Sequence, residues 1–294
     1  RQGRAPRHQD DMDVAALTSG RWSESEREAK IEKLETRLRN TGRARTFVRA
    51  LTPAEQANVW GVRKVGLGLL MSVRGDAKPL AFMEDVAVPV EHLGEYVREV
   101  ECIFAEEGVG SGYYAHASDG CLHIRPLISL KSQSGIDCMK RIGEKVFSVV
   151  TRMGGAMSGE HGDGLSRSCW NERLYGPELY QAFREVKAVF DPRNILNPGK
   201  VIASQDLTEN LRYGANYKTL SVQTHLDFTL EGGFAGAVDQ CNGAGVCRKA
   251  DGVMCPSFMA TRDEEHSTRG RANALRAALS GHLPPEHLTS PRMH

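Results

Sequence analysis

Two groups of residues in this 294-residue sequence have the types and spacing to do chemistry. The first is Ser158-Gly159-Glu160-His161-Gly162-Asp163-Gly164, which sets an acid, an imidazole and a second acid among glycines directly after the apolar segment Val146–Met153. Glycine permits backbone conformations that other residues resist and lets main chain approach a ligand closely. Adjacent Glu160 and His161 supply an anionic ligand and a proton acceptor. The same pattern also fits a tight turn with two solvated charges. The second group is His116 and His123, separated by six residues that include Ser118-Asp119-Gly120. If the flanking segments form a hairpin, the imidazoles converge. With Glu160 as third ligand they offer a site for zinc or another divalent ion, with positions left open for substrate oxygens. One buried histidine and one exposed histidine is the competing reading.

Three further stretches carry polar chemistry. Trp60-Gly61-Val62-Arg63-Lys64, with Lys78 further on, could grip a carboxylate, for which the arginine fork is suited. It reads equally as a helix end with a basic last turn. Phe190-Asp191-Pro192-Arg193-Asn194-Ile195-Leu196-Asn197-Pro198-Gly199-Lys200 reads as a rigid loop presenting backbone and amide groups. Cys241, Cys247 and Cys255, the last followed by Pro256, cluster late in a chain of seven cysteines. In a sequence with no export signal, such clustering points to metal or iron–sulfur chemistry more than to disulfides.

The elements that must position these residues follow from periodicity. Ser23 to about Arg49 reads as a helix, and Thr52-Pro53-Ala54-Glu55 caps another. Leu80–Val88 reads as a strand ended by Pro89. Val90–Glu107 then reads as a helix with Leu93, Val97, Val100 and Phe104 on one stripe, closed by Gly108 and Gly110. Ser111–Ala117 and Cys121–Ile128 form a hairpin pattern. A long helix over Ser134–Met153 and a third over Pro177–Val189 follow. The order predicts an α+β fold, a mostly antiparallel sheet with helices on one face. Residues 1–50 read as a lead-in and helix, 51–203 as the main domain, 204–225 as a linker and 226–294 as a small, mainly α-helical module.

Composition bounds the function. A formal net charge of +1 and 6% aromatic residues give no support to a nucleic-acid partner. No apolar run reaches the length of a membrane span and no signal peptide opens the chain. A cytoplasmic protein is expected, or one peripheral to the inner face of a bacterial membrane.

The segments Ala81–Pro89, His116–His123, Ser158–Gly164 and Asp191–Lys200 together resemble the C-terminal, substrate-binding domain of FAD-linked oxidases of the vanillyl-alcohol-oxidase type, nearest the D-lactate, glycolate and D-2-hydroxyglutarate dehydrogenases. The resemblance covers about Val59 to Ile202. It implies a ferredoxin-like α+β domain in which His116, His123 and Glu160 hold a divalent metal, expected to be zinc. His161 is then the base that takes the hydroxyl proton as hydride leaves for the flavin, and Arg63 and Lys78 bind substrate carboxylate. Asn197 and Lys200 lie near the FAD. An asparagine often stands two residues after the second histidine in this family; Arg125 holds that place here and becomes a candidate for polar recognition of substrate. The cysteine segment with Asp263–Asn273 is similar to a [4Fe–4S] ferredoxin-like module fused to such oxidases, with Cys241, Cys247 and Cys255 as cluster ligands and Ala244 where a fourth is usual. The implied protein oxidises a small D-2-hydroxy acid and passes electrons to an unnamed acceptor. The flavin-binding domain has no counterpart in the chain, so a fragment is expected. A zinc hydrolase on the same histidines, or a non-catalytic electron-transfer or interaction subunit, are the competing functions.

Overall fold

The computed structural model describes residues 23–42 and 46–291, apart from the side chains of Arg63, Lys64 and Pro285. The lead-in expected over residues 1–20 lies outside them. The chain divides into two compact units, Arg1–Gly66 and Leu67–His294. In the first, helix α1 (Glu24–Asn40) is opened by a capping box in which the Ser23 hydroxyl accepts from Glu26 N and the Glu26 carboxylate accepts from Ser23 N. It ends earlier than the sequence pattern suggested, because Gly42 turns the chain at φ +63°. Helix α2 (Pro53–Met71) starts at the expected cap, with Glu55 accepting from Thr52 N.

The second unit holds a four-stranded antiparallel sheet. Its central strand is β4 (Cys121–Ile128), paired along one edge with β3 (Ser111–His116). On the other edge lie β1 (Lys78–Pro79) at one end and β2 (Asp85–Ala87) at the other. Of the single strand expected over Leu80–Val88, only Asp85–Ala87 is strand, and β1 lies just before that stretch. Phe82, Met83, Glu84, Asp85 and Val86 are all buried in succession, as are the first six residues of β4, so both faces are covered here. The hairpin between β3 and β4 forms where it was read, and Gly120 makes its turn at φ +71° with Val88 O only 1.9 Å from where a Cβ would sit.

Helices α3 (Leu93–Glu107) and α4 (Gln133–Arg152) pack together over β4. Ser132 caps α4 by accepting from Gly135 N. Ile142, Val146 and Val150 from α4, Tyr96 and Val100 from α3, and Leu122 and Ile124 from β4 are fully or nearly fully buried in one core. Each such side chain contributes about 1.5–3 kcal/mol. Because residues alternate along a strand, burying Leu122 and Ile124 under the helices turns His123 and Arg125 to the opposite face. Short helices α5 (Gly164–Arg167) and α6 (Asn171–Tyr175) and the longer α7 (Pro177–Phe190) follow. Beyond residue 203 the chain has one short 3-10 turn, Thr229–Glu231, before α8 (Phe234–Val238), α9 (Pro256–Thr261) and α10 (Thr268–Leu279). The mixed antiparallel α+β architecture agrees with the sequence reading. No helix among the described residues is long and apolar enough to cross a membrane.

Candidate functional site

The glycine-rich segment is laid along the free edge of β2. Ala87 and Ala156 exchange both backbone hydrogen bonds, and Gly159 N donates to Asp85 O at 2.7 Å. A side chain at Gly159 would meet the Ala87 Cβ at 2.8 Å and Asp85 O at 3.2 Å, so the segment lies this close only because the position is glycine. Asp85, completely buried, then fixes the loop. Its Oδ2 accepts from Ser158 Oγ at 2.9 Å, Glu160 N at 2.9 Å and His161 N at 2.7 Å. Its Oδ1 faces Arg167 Nη1 at 2.9 Å, out of line for a directional hydrogen bond, so that contact is Coulombic. Arg167 also donates to Gly162 O at 2.6 Å, closing the loop from its far side.

This anchoring brings Glu160 over the hairpin. Its Oε1 lies 3.4 Å from His116 Nε2 and its Oε2 lies 3.2 Å from His123 Nε2. One ligand atom from each of these three residues falls within 4.8 Å of the other two. The same holds for Glu84, His123 and His161. His123, 2% exposed, stacks on Tyr114 with ring centres 4.3 Å apart and on His161 at 5.4 Å, while His116 meets its edge at 5.3 Å. The three imidazoles and two carboxylates thus form one continuous cluster, buried at His123 and Glu84 and open at His116, Glu160 and His161.

The electrostatics follow from burial and pairing. Burial pushes the Glu84 carboxyl up, but hydrogen bonds from Tyr114 and Arg125 outweigh it and leave it below the ordinary carboxylate range. Asp85 is likewise pushed up by burial and brought down further by the His161 and Glu160 amides, Ser158 and Arg167. Burial lowers the His123 imidazole, opposed in part by Glu160 and Glu84. Cys121 stands beside the cluster on the same strand face. Burial, with Glu160 and Asp85 nearby, pushes its thiol up to about 11, so it remains protonated near neutrality.

His116, His123, Glu160 and His161 are therefore brought together. Arg125 is placed at the cluster but its guanidinium is engaged: Nε donates to Glu84 Oε1 at 3.0 Å, and Nη2 contacts the same oxygen more closely. At 9% exposure it holds Glu84 rather than facing an open site. Lys78 is not brought there. It pairs with Ile128, five residues along β4 from His123, about 17 Å by strand rise. Its Nζ donates to Val73 O at 2.6 Å. The side chain of Arg63 is outside the described residues. Asn197 and Lys200 lie on the loop after α7, where Asp191 accepts from Ile195 N and Leu196 N and Asn171 Nδ2 donates to Val201 O. Lys200 Nζ donates to Pro198 O at 3.4 Å, and neither side chain bonds to the imidazole cluster among the described residues. Cys241 and Cys247 line a common cavity with Arg269 and Phe234, whereas Cys255 donates its thiol to His266 O at 3.3 Å.

Sequence reasoning missed Glu84, Asp85, Tyr114 and Arg167. One signal was present: two adjacent acids inside an otherwise apolar stretch, Leu80–Val88, are out of place unless something buried pairs with them.

Residues 6–201 match the family model for FAD linked oxidases, C-terminal domain. A D-2-hydroxyglutarate dehydrogenase from Pseudomonas putida is 37% identical over 227 residues, covering 75% of this chain and 22% of that protein. One from Escherichia coli is 34% identical over 223 residues, again 75% of this chain and 22% of the relative. The glycolate oxidase subunit GlcD of Bacillus subtilis is 30% identical over 176 residues, 60% of this chain and 36% of that subunit. The chain spans between 22% and 36% of the length of these relatives.

Proposed function

The chain belongs to the family of FAD linked oxidases through their C-terminal domain, and from that premise we propose that it is the substrate-side part of a flavin-dependent dehydrogenase for a small D-2-hydroxy acid. The observation that carries this reading is the convergence of His116, His123 and Glu160 beside His161 on a loop fixed by a buried aspartate.

We assign a divalent ion, zinc by donor chemistry, to His116 Nε2, His123 Nε2 and Glu160. Ligand atoms on a tetrahedral zinc with bonds near 2.0–2.1 Å stand about 3.3 Å apart. The Nε2-to-carboxylate separations of 3.4 and 3.2 Å match that spacing. Three protein ligands leave positions for substrate oxygens, and a bound ion would polarise the hydroxyl and carboxylate of a 2-hydroxy acid. His161, with its side chain 45% exposed, presents Nε2 on the side of Glu160, 3.7 Å from Oε2. In this reading Nε2 would accept the hydroxyl proton, and FAD, when bound, would supply the acceptor for the α-carbon hydride. Asn197 and Lys200 stay our candidates for the flavin side and Arg63 for the substrate carboxylate, on the sequence alone. Lys78, whose ammonium is committed to Val73 O, is withdrawn from that role. The iron–sulfur reading of Cys241, Cys247 and Cys255 rests on the sequence alone, and no electron-transfer step is derived through it. A zinc hydrolase would use the same ligands; membership of a flavin-linked family favours oxidation.

The test uses the full-length protein with its flavin. Anaerobic addition of D-2-hydroxyglutarate, D-lactate or glycolate should bleach the flavin absorbance. His161→Gln should slow that bleaching by at least about 100-fold with flavin still bound. Bleaching at the original rate in this variant, or ester hydrolysis without flavin, would overturn the reading.

A further inference from the structure

We propose that Glu84 is a positioning residue that holds His161 as the Nδ1–H tautomer, leaving the Nε2 lone pair free on the side of the metal ligands. The inference deepens the reading of His161 as proton acceptor and rests on it for its catalytic meaning, though not for the tautomer itself.

Glu84 is 6% exposed and its two oxygens have different neighbours. Oε1 is saturated: Tyr114 donates its hydroxyl at 2.6 Å, and Arg125 contributes Nε at 3.0 Å together with Nη2. This fixes the carboxylate plane and leaves Oε2, which lies 3.4 Å from His161 Nδ1. Asp85 Oδ1 faces the same nitrogen at 3.9 Å. An ionised carboxylate can only accept, so a bare Nδ1 would set a lone pair against two buried anionic oxygens, whereas an Nδ1–H gives both a donor. The opposing influence is Glu160 Oε2, 3.7 Å from His161 Nε2. It is weaker on two counts. Its side chain is 41% exposed, and a metal bound to it would draw off the charge that could favour a proton on Nε2. The backbone holds the ring in place as well, since His161 N donates to Asp85 Oδ2 at 2.7 Å and the ring stacks against His123. The contact of 3.4 Å is loose, as such contacts often are before substrate arrives. Arg125 then acts at one remove. It holds Oε1 so that Oε2 points at the imidazole.

The full chain labelled with 15N-histidine provides the test. Long-range proton–nitrogen spectra report which ring nitrogen carries hydrogen, and His161→Gln identifies the signal. The expected result is Nδ1–H in the wild type and loss of that preference in Glu84→Gln, whose amide can itself donate to Nδ1. An Nε2–H tautomer in the wild type, or an unchanged tautomer in folded Glu84→Gln, overturns the proposal; the wild-type spectrum decides alone if the variant does not fold. In the full-length flavoprotein, Glu84→Gln should lower kcat about 10- to 100-fold with KM within about twofold, and Glu84→Asp should recover part of the loss. A change confined to KM also overturns it. Full activity of His161→Gln would sink the base assignment while leaving the tautomer result intact, so the two failures are distinguishable.

Discussion

Asp85→Asn is the substitution with the largest expected effect on the site, although Asp85 touches neither metal nor substrate in the proposed arrangement. The side chain is fully buried and its charge serves two purposes. Oδ2 accepts three hydrogen bonds from Ser158, Glu160 and His161, and Oδ1 faces the Arg167 guanidinium at 2.9 Å. Asparagine retains one acceptor oxygen but not the charge. Arg167, 6% exposed, is then left as an uncompensated buried cation, a situation that costs about 3–5 kcal/mol. Weakening the charge-assisted bonds to the two amides acts in the same direction, at about 1.5–3 kcal/mol for a bond to a charged group, but the terms share one carboxylate and do not add. We expect a loss of about 3–5 kcal/mol in urea unfolding followed by near-ultraviolet circular dichroism. Because the loop carries Glu160, zinc titration of the folded variant should show affinity reduced at least about tenfold. A loss below about 1 kcal/mol with unchanged zinc affinity would refute the idea that Asp85 anchors the loop.

Two further outcomes follow from the same geometry. Gly159→Ala places a methyl 2.8 Å from the Ala87 Cβ and 3.2 Å from Asp85 O, so strand and loop must part; about 1–3 kcal/mol of stability and a measurable part of the zinc affinity should go with it, and an unaltered unfolding midpoint would show that the edge yields freely. Glu107, at the end of α3, receives hydrogen bonds from Arg141 at 2.8 Å and Lys145 at 2.9 Å on α4, which hold its carboxyl down to about 2 from 4.5. A depressed folded value means that its contribution is complete above about pH 4.5 and fades as pH falls toward about 2, so urea midpoints of the wild type should drop over that interval more steeply than those of Glu107→Gln; parallel curves would dismiss the contribution.

What the sequence made legible was local. The helix start at Ser23, the hairpin turn at Ser118-Asp119-Gly120 and the long helix α4 are decided within a few neighbouring residues, and each appears where the pattern placed it. Convergence of His116 with His123 also follows from one hairpin. Glu160 needed more, since it reaches them only because residues 156–159 run along β2. Glu84 and Asp85 escaped because their partners are distant: Arg125 lies 41 residues from Glu84, and the His161 amide 76 residues from Asp85. Arg125 misled for the opposite reason. Its place two residues after His123 suggested substrate, while its face of β4 put it against a buried acid. Of the strand expected over Leu80–Val88, only Asp85–Ala87 pairs with β4.

Charge explains why these buried pairs suit a site for an anionic substrate. The cluster and the aspartate behind it together hold three carboxylates, Glu84, Asp85 and Glu160, and a 2-hydroxy acid would bring another. Arg125 neutralises Glu84, and Arg167 neutralises Asp85. Glu160 faces the opening with His116 and His123 as its neighbours and, among the described residues, no permanent cation paired to it. Without a further positive charge, Glu160 would repel the carboxylate of the substrate the site is proposed to bind. A divalent ion on those three residues would reverse the sign to net positive and attract a carboxylate. The internal arginines therefore do not compete with a metal. By cancelling the two deep carboxylates they leave Glu160 as the one anionic ligand to define where the ion sits, and His161, adjacent in sequence, is carried to that position by the same loop.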